Sequence, residues 1–149
     1  MSVGRICLRD VDLAETGEST FEVARRMEQR RVGTLVVVDA AGRPIGVLTD
    51  RDLAVRVVAA GRDPRRTTVG DVMTQDPRTV GESTPIESAL SLMRSGSFRR
   101  LPVVNEDGKL VGILSLDDVL GLLAEEFALI RGLLDREAPT VAQVRWPRA

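Results

Sequence analysis

Gly46-Val47-Leu48-Thr49-Asp50-Arg51-Asp52 returns 66 residues later as Gly112-Ile113-Leu114-Ser115-Leu116-Asp117-Asp118. At the same offset Met27 meets Met93, Leu35 meets Leu101 and Gly42 meets Gly108. Gly-Glu-Ser-Thr also occurs twice, from Gly17 to Thr20 and from Gly81 to Thr84, at a slightly different offset. A duplication of this length decides the architecture before any local propensity is weighed. Two copies are too few for a solenoid. They suffice for two similar halves that pack face to face, with any site duplicated at the seam.

Each half of the 149 residues would be marginal alone, because a short chain buries little of its surface, so the halves are expected to share a core. The apolar fraction of 43% and the charged fraction of 29% are those of an ordinary soluble globular protein. No run approaches the ~20 apolar residues of a membrane span. The first ten residues lack an apolar signal region, so secretion is not signalled. The single cysteine, Cys7, cannot close an internal disulfide and is read as a buried, unreactive thiol in a cytoplasmic protein.

Histidine is absent, which removes the usual general base, the usual pH switch and the commonest metal ligand. No Ser-His or Cys-His set, Cys/His metal cluster or phosphate-loop motif is present. Asp117 and Asp118 are adjacent on a helix and do not face one another, so they are not read as a metal pair. An enzyme, a catalytic cofactor and a bound metal are therefore not expected. A net charge of −1, with three Phe, one Trp and no Tyr, argues against nucleic acid as a partner.

Ser19-Thr20-Phe21-Glu22 carries a capping-box pattern and opens a helix to about Arg31. Leu35-Val36-Val37-Val38 and Ile45-Gly46-Val47-Leu48 are strands, joined by a hairpin loop in which Gly42 takes a positive φ. Strands apolar at consecutive positions are covered on both faces, so helices must flank a small sheet. A second helix runs from near Asp50 to a glycine cap at Gly61. The second copy repeats this order: a short strand near Arg78-Thr79-Val80, a helix opened by Thr84-Pro85-Ile86-Glu87, strands around Leu101 to Val104 and Leu110 to Leu114, and a last helix from Asp117 to about Leu134. Pro102 has no N–H, which predicts that its strand starts at a sheet edge. The division is residues 1–62, a linker 63–68, residues 69–126 with the last helix reaching about 135, and a tail 136–149 that Trp146 would pin down. The last helix is apolar on most faces and needs two neighbours, one of them a second subunit.

The order strand–helix–strand–strand–helix, the Leu-Val-Val or Leu-Pro-Val-Val strand and the ending Gly-x-x-Thr/Ser-x-x-Asp together resemble the CBS domain. Two in tandem resemble a CBS pair, or Bateman module, and the stretch from Leu48 to Pro64 is similar to small stand-alone bacterial members. The resemblance implies an α/β (α+β) fold of two β-α-β-β-α repeats related by pseudo-twofold symmetry. It also implies binding of an adenosine-containing ligand, such as AMP, ADP, ATP, S-adenosylmethionine or NAD, in clefts between the repeats. Regulation follows from that, as in energy sensing, through a homodimer and an unidentified downstream protein.

By the same resemblance, Asp52 and Asp118 would accept hydrogen bonds from the ribose hydroxyls, beside Thr49 and Ser115 at the helix starts. Adenine would rest near Arg78, Thr79 and Val80 in one cleft, and near Asp12 and Leu13 in the other. Phosphate would meet Arg99 and Arg100, next to Pro102, in the first cleft; in the second, Gly33 and Thr34 replace the two arginines and only Arg30 and Arg31 remain nearby. Guanidinium forks suit phosphate oxygens, so the Asp52 cleft is expected to prefer a phosphorylated ligand and the Asp118 cleft a less charged one or none. The competing reading of Thr-x-x-Asp and Ser-x-x-Asp is plain helix capping. The capping box prefers Glu, which this chain uses at Glu22 and Glu87, and the contrast favours a ligand role for Asp52. The alternative function is a structural or interaction dimer with vestigial clefts.

Overall fold

The structure, a computed structural model, describes residues 1–96 and 98–137. Ser97 and the tail with Trp146 lie outside the described residues.

The first repeat builds a four-stranded sheet in the order β1 (Leu13–Ala14), β2 (Thr34–Val38), β3 (Pro44–Thr49), β4 (Thr74–Gln75). β1 runs parallel to β2, and the other pairs are antiparallel. α1 (Thr20–Arg30) starts where the Ser19 hydroxyl accepts the Glu22 amide at 3.2 Å. It turns Val23 and Met27 into the core and stops where Arg31 adopts a left-handed conformation, φ 55°. The β2–β3 loop turns at Gly42, φ 79°, and the Asp39 carboxylate accepts the amides of Ala41 and Arg43, each at 2.9 Å. α2 (Asp50–Leu53) continues directly into a turn of π-helix (Ala54–Val58), and Gly61 follows at φ 66°.

The second repeat is led in by α3 (Val69–Val72) and has β5 (Val80–Gly81), α4 (Ile86–Gly96), β6 (Arg100–Val104), β7 (Leu110–Ser115) and α5 (Leu116–Glu137). Asn105 takes the place of Asp39, accepting the amides of Asp107 and Lys109 at 3.1 and 2.9 Å, and Gly108 turns at φ 76°. The mixed α+β fold and both hairpins agree with the sequence. Pro102 does not mark an edge: β6 lies between β5 and β7. Its missing donor is tolerated because β5 reaches only Val103 and Val104.

A short helical turn, Val3–Arg5, precedes the first repeat, as α3 precedes the second at the same 66-residue offset. Each docks on the other repeat. Val3 donates to the Thr84 carbonyl at 2.8 Å and Gly4 to Glu82 at 2.9 Å, while Val69 donates to Glu18 and Gly70 to Thr16, both at 2.9 Å. Next along the chain, Leu8 bridges Ile113 of β7, as Thr74 of β4 pairs with Val47 of β3.

The expected shared core is instead two apolar clusters, each completed by the other half's leading segment. Val3 and Cys7 pack with Val80, Leu101 and Leu114, whereas Val69 and Val72 pack with Val23, Leu35 and Leu48. Full burial of a valine is worth about 1.5–3 kcal/mol, so exchanging Val3 and Val69 ties the repeats together. The exchange also explains the repeated glycine. A Cβ on Gly46 would collide with Met73 Sδ, and one on Gly112 would meet Cys7 Sγ at 2.8 Å, with Cys7 and Met73 again 66 residues apart.

Candidate functional site

A cleft of about 430 Å³ opens at the seam of the two repeats. The first repeat contributes the ends of its hairpin strands, Gly33, Thr34 and Val47, and the start of α2 from Thr49 to Asp52. Thr74, Pro77 and Arg78 follow from the connection, and Phe98 to Pro102 from the second repeat. Thus Thr49, Asp52, Arg78, Arg99, Arg100 and Pro102, separated in sequence, share one cavity. Its volume falls in the range of small-molecule sites, about 300–1,000 Å³.

The chain forms this cavity because β3 ends in a cap. Thr49 accepts the Asp52 amide at 3.1 Å, and Asp52 Oδ2 accepts the Thr49 amide at 2.9 Å. The capping reading disfavoured by the sequence is therefore the observed geometry. It does not seal the carboxylate. Asp52 Oδ1 faces Arg56 Nη2 at 3.6 Å, and the half-buried side chain still lines the cleft. A carboxylate offers about four acceptor positions, and the cap uses one. Arg56 is fixed in turn by the Val72 carbonyl at 2.7 Å and the Thr74 hydroxyl at 3.2 Å.

The walls differ in character. Arg51, Arg78, Arg99 and Arg100 supply positive charge against Asp50 and Asp52, and Arg99 lies 3.7 Å from the exposed Asp117 carboxylate. Val47, Pro77, Phe98, Leu101 and Pro102 supply apolar surface. Phe98 packs across Gly96 at the end of α4 and leaves its ring partly exposed. Sequence reasoning missed Phe98, although it directly precedes the arginine pair. The resemblance places Thr34 in the other cleft, but it lines this one, and its hydroxyl oxygen is buried with no hydrogen-bond partner among the described residues.

Thr79 and Val80 fall outside this cavity. Val80 belongs to the second repeat's core, and Thr79 lines a separate open groove of about 690 Å³ with Arg43, Asp76 and Gly108.

The second constellation is tied up by internal bonds. Asp118 Oδ2 accepts both the amide and the hydroxyl of Ser115, each at 2.7 Å, and the Ser115 hydroxyl accepts the Asp118 amide at 3.1 Å. Asp12 is held by Arg30 Nε at 2.5 Å, with its side chain only 10% exposed. Leu13 and Arg31 are exposed, and Arg31 serves as the end of α1. Neither Ser115 nor Asp118 lines the described cleft.

One backbone difference accompanies this asymmetry. Val36 donates to the Asp12 carbonyl at 3.0 Å. Pro102 stands at the matching place in the second repeat and has no N–H to give Arg78. Among the described residues no backbone amide donates to the Arg78 carbonyl.

Cys7 is buried, and that burial pushes its thiol above the usual cysteine range, which keeps it protonated and unreactive. Among the described residues, no group of three or more Cys, Asp and Glu side chains stands ready for a metal ion, and no helix is long and apolar enough to cross a membrane.

The CBS-domain family profile matches residues 3–59 and 69–125. An uncharacterized protein of Methanopyrus kandleri, MK0525, is 38% identical over 120 residues, covering 80% of this chain and 61% of that protein. The chain thus spans about three fifths of that relative's length. YlbB of Bacillus subtilis, also uncharacterized, is 35% identical over 111 residues, 74% of each chain. Among solved structures, CBSX2 in complex with AMP superposes with a TM-score of 0.73 at 27% identity, covering 83% of this chain and 97% of that one.

Proposed function

The chain belongs to the CBS-domain family, and on that premise we propose that it is a regulatory module binding one phosphorylated adenosine nucleotide in the Asp52 cleft. The observation that carries this reading is the pairing, in a single cavity, of a half-buried carboxylate with Arg99 and Arg100 from the opposite repeat. A carboxylate with free lone pairs suits a ribose diol, and two guanidinium forks suit a phosphate. The apolar wall of Val47, Phe98 and Pro102 suits a purine face, and the Arg78 carbonyl, which receives no backbone amide among the described residues, suits an exocyclic amine. The buried Thr34 hydroxyl, without a hydrogen-bond partner among the described residues, would gain one. AMP heads the candidates because a related pair of the same fold is named as an AMP complex. ADP, ATP, S-adenosylmethionine and NAD share the ribose and are candidates beside it.

Binding would clamp the two repeats across the seam. The closed state can be favoured only by the ligand's differential affinity for it. In this reading the chain works without catalysis, as a homodimer held through its helices, and signals to another protein. The vestigial reading fits the Asp118 half, where Ser115 and Asp118 do not line the described cleft and Asp12 is held by Arg30.

The test is isothermal titration calorimetry of purified protein against AMP, ADP, ATP, S-adenosylmethionine and NAD. Saturable binding of at least one, lost in Arg99→Ala/Arg100→Ala, supports the reading. Flat titrations of folded protein at millimolar ligand refute it.

A further inference from the structure

We propose that the distal half of α5 is a parallel coiled-coil seam occupied by α5 of a second copy of this chain. The proposal rests on the homodimer reading above and names its segment, orientation and charge pair. Near its start α5 is anchored: Val119 is buried and Leu116 and Leu122 pack on the second repeat's core. From residue 123 to 136 every residue is exposed, so the helix projects from its own domain. That projection spans roughly 20 Å at 1.5 Å per residue.

A helix of this length is marginal in water without a packed face. Gly121 and Gly132 weaken it further, and neither has a neighbour that would exclude a side chain. Seven large apolar residues of α5 are nevertheless exposed, Leu129 and Leu133 among them, and the other five follow a regular spacing. Leu120, Leu123, Phe127, Ile130 and Leu134 follow one another at alternating steps of three and four. They are 53%, 46%, 69%, 50% and 62% exposed, far above what a buried stripe allows. Alternation of three and four is the a/d repeat of a coiled coil, which keeps one stripe facing a like helix. Most of this stripe lies beyond the residues matched by the family profile, which end at 125.

Charge decides the occupant and its direction. With Phe127 at an a position, Glu126 is a g residue and Arg131 the following e residue. Parallel coils bring these two positions together between helices, so a copy aligned in register sets Glu126 against Arg131 twice. An antiparallel copy centred between Phe127 and Ile130 sets Glu126 against Leu133 and Arg131 against Ala124, pairing no opposite charges. Within its own helix Arg131 meets only Asp135, at 3.9 Å and fully in solvent reach.

The experiment is sedimentation of the full chain at about 50 μM, with Phe127→Glu, Glu126→Arg and the double exchange Glu126→Arg/Arg131→Glu. The expected result is a dimer, dissociated at least tenfold more readily by Phe127→Glu and by Glu126→Arg, and restored by the double exchange. In Cys7→Ala/Leu134→Cys, mild oxidation is expected to join like positions of two chains. A wild-type monomer overturns both the seam and the homodimer reading. A dimer unmoved by Phe127→Glu overturns the seam alone. A dimer that Phe127→Glu dissociates but Glu126→Arg leaves unchanged, with no cross-link in the Leu134→Cys variant, overturns the parallel orientation. Circular dichroism of each variant separates dissociation from unfolding.

Discussion

Asp52 Oδ2 accepts the Thr49 amide across 2.9 Å while the Thr49 hydroxyl accepts the Asp52 amide across 3.1 Å, so the residue proposed to hold ribose also closes a helix cap. Asp118 and Ser115 form the same reciprocal pair. Asn at either position keeps an acceptor for the cap but loses the charge at a helix N-terminus. Asp52→Asn and Asp118→Asn are each expected to cost under about 1 kcal/mol of stability. Only Asp52→Asn is expected to weaken nucleotide binding, by about 10–100-fold, as loss of charged hydrogen bonds implies. Urea unfolding and calorimetry on the pair of variants check both halves.

Pro102 and Val36 occupy matching places in the repeats, and only Val36 donates across to the neighbouring strand. Pro102→Val supplies an N–H to the Arg78 carbonyl. The variant is expected to fold at least as well as the parent while binding nucleotide about threefold to tenfold less tightly, the worth of one neutral hydrogen bond. Equal affinity would remove Arg78 from the ligand's contacts.

The two close-approach glycines should respond unequally. A Cβ on Gly112 meets the Leu8 carbonyl at 2.9 Å as well as Cys7 Sγ, and backbone cannot step aside. On Gly46 it meets the flexible Met73 side chain, which can. Gly112→Ala is expected to destabilise by about 1–3 kcal/mol, the usual cost of overpacking, and Gly46→Ala by less. Thermal unfolding of both variants gives the order.

Glu18 links the repeats to pH. Its hydrogen bond from Arg26 holds the carboxyl below the ordinary glutamate range, and its own carbonyl receives the Val69 amide. A depressed folded value means stability fully present above the unfolded carboxyl range and lost as pH falls through the folded one. Glu18→Gln is expected to be less stable than the parent at pH 7, with the difference shrinking on acidification below about pH 4. A gap that stays constant between neutral pH and about pH 3 would count against this link.

The hairpins were legible in the sequence because their signals are local and printed twice: Asp39 or Asn105 to start the turn, Gly42 or Gly108 to complete it. The exchange of leading segments was not legible, since Val3 and Val69 dock on residues far along the chain and carry no turn signal of their own. Pro102 was misread because β5 is too short to demand the missing amide. Asp52, Thr49, Arg78, Arg99, Arg100 and Pro102 were named through the family resemblance, and all six line the described cavity. Thr34 went to the wrong half because which strand start faces which cavity depends on how the repeats cross. The Ser115–Asp118 cap was legible from its spacing, whereas the Arg30 partner of Asp12 was not, because an ion pair depends on rotamers rather than on spacing.

The most direct measurement is the stoichiometry of AMP binding by calorimetry on the intact chain. One site per chain is expected, abolished by Arg99→Ala/Arg100→Ala and unaffected by Asp118→Asn. No heat at millimolar AMP from folded protein, or two equivalent sites of which Asp118→Asn removes one, would contradict the account.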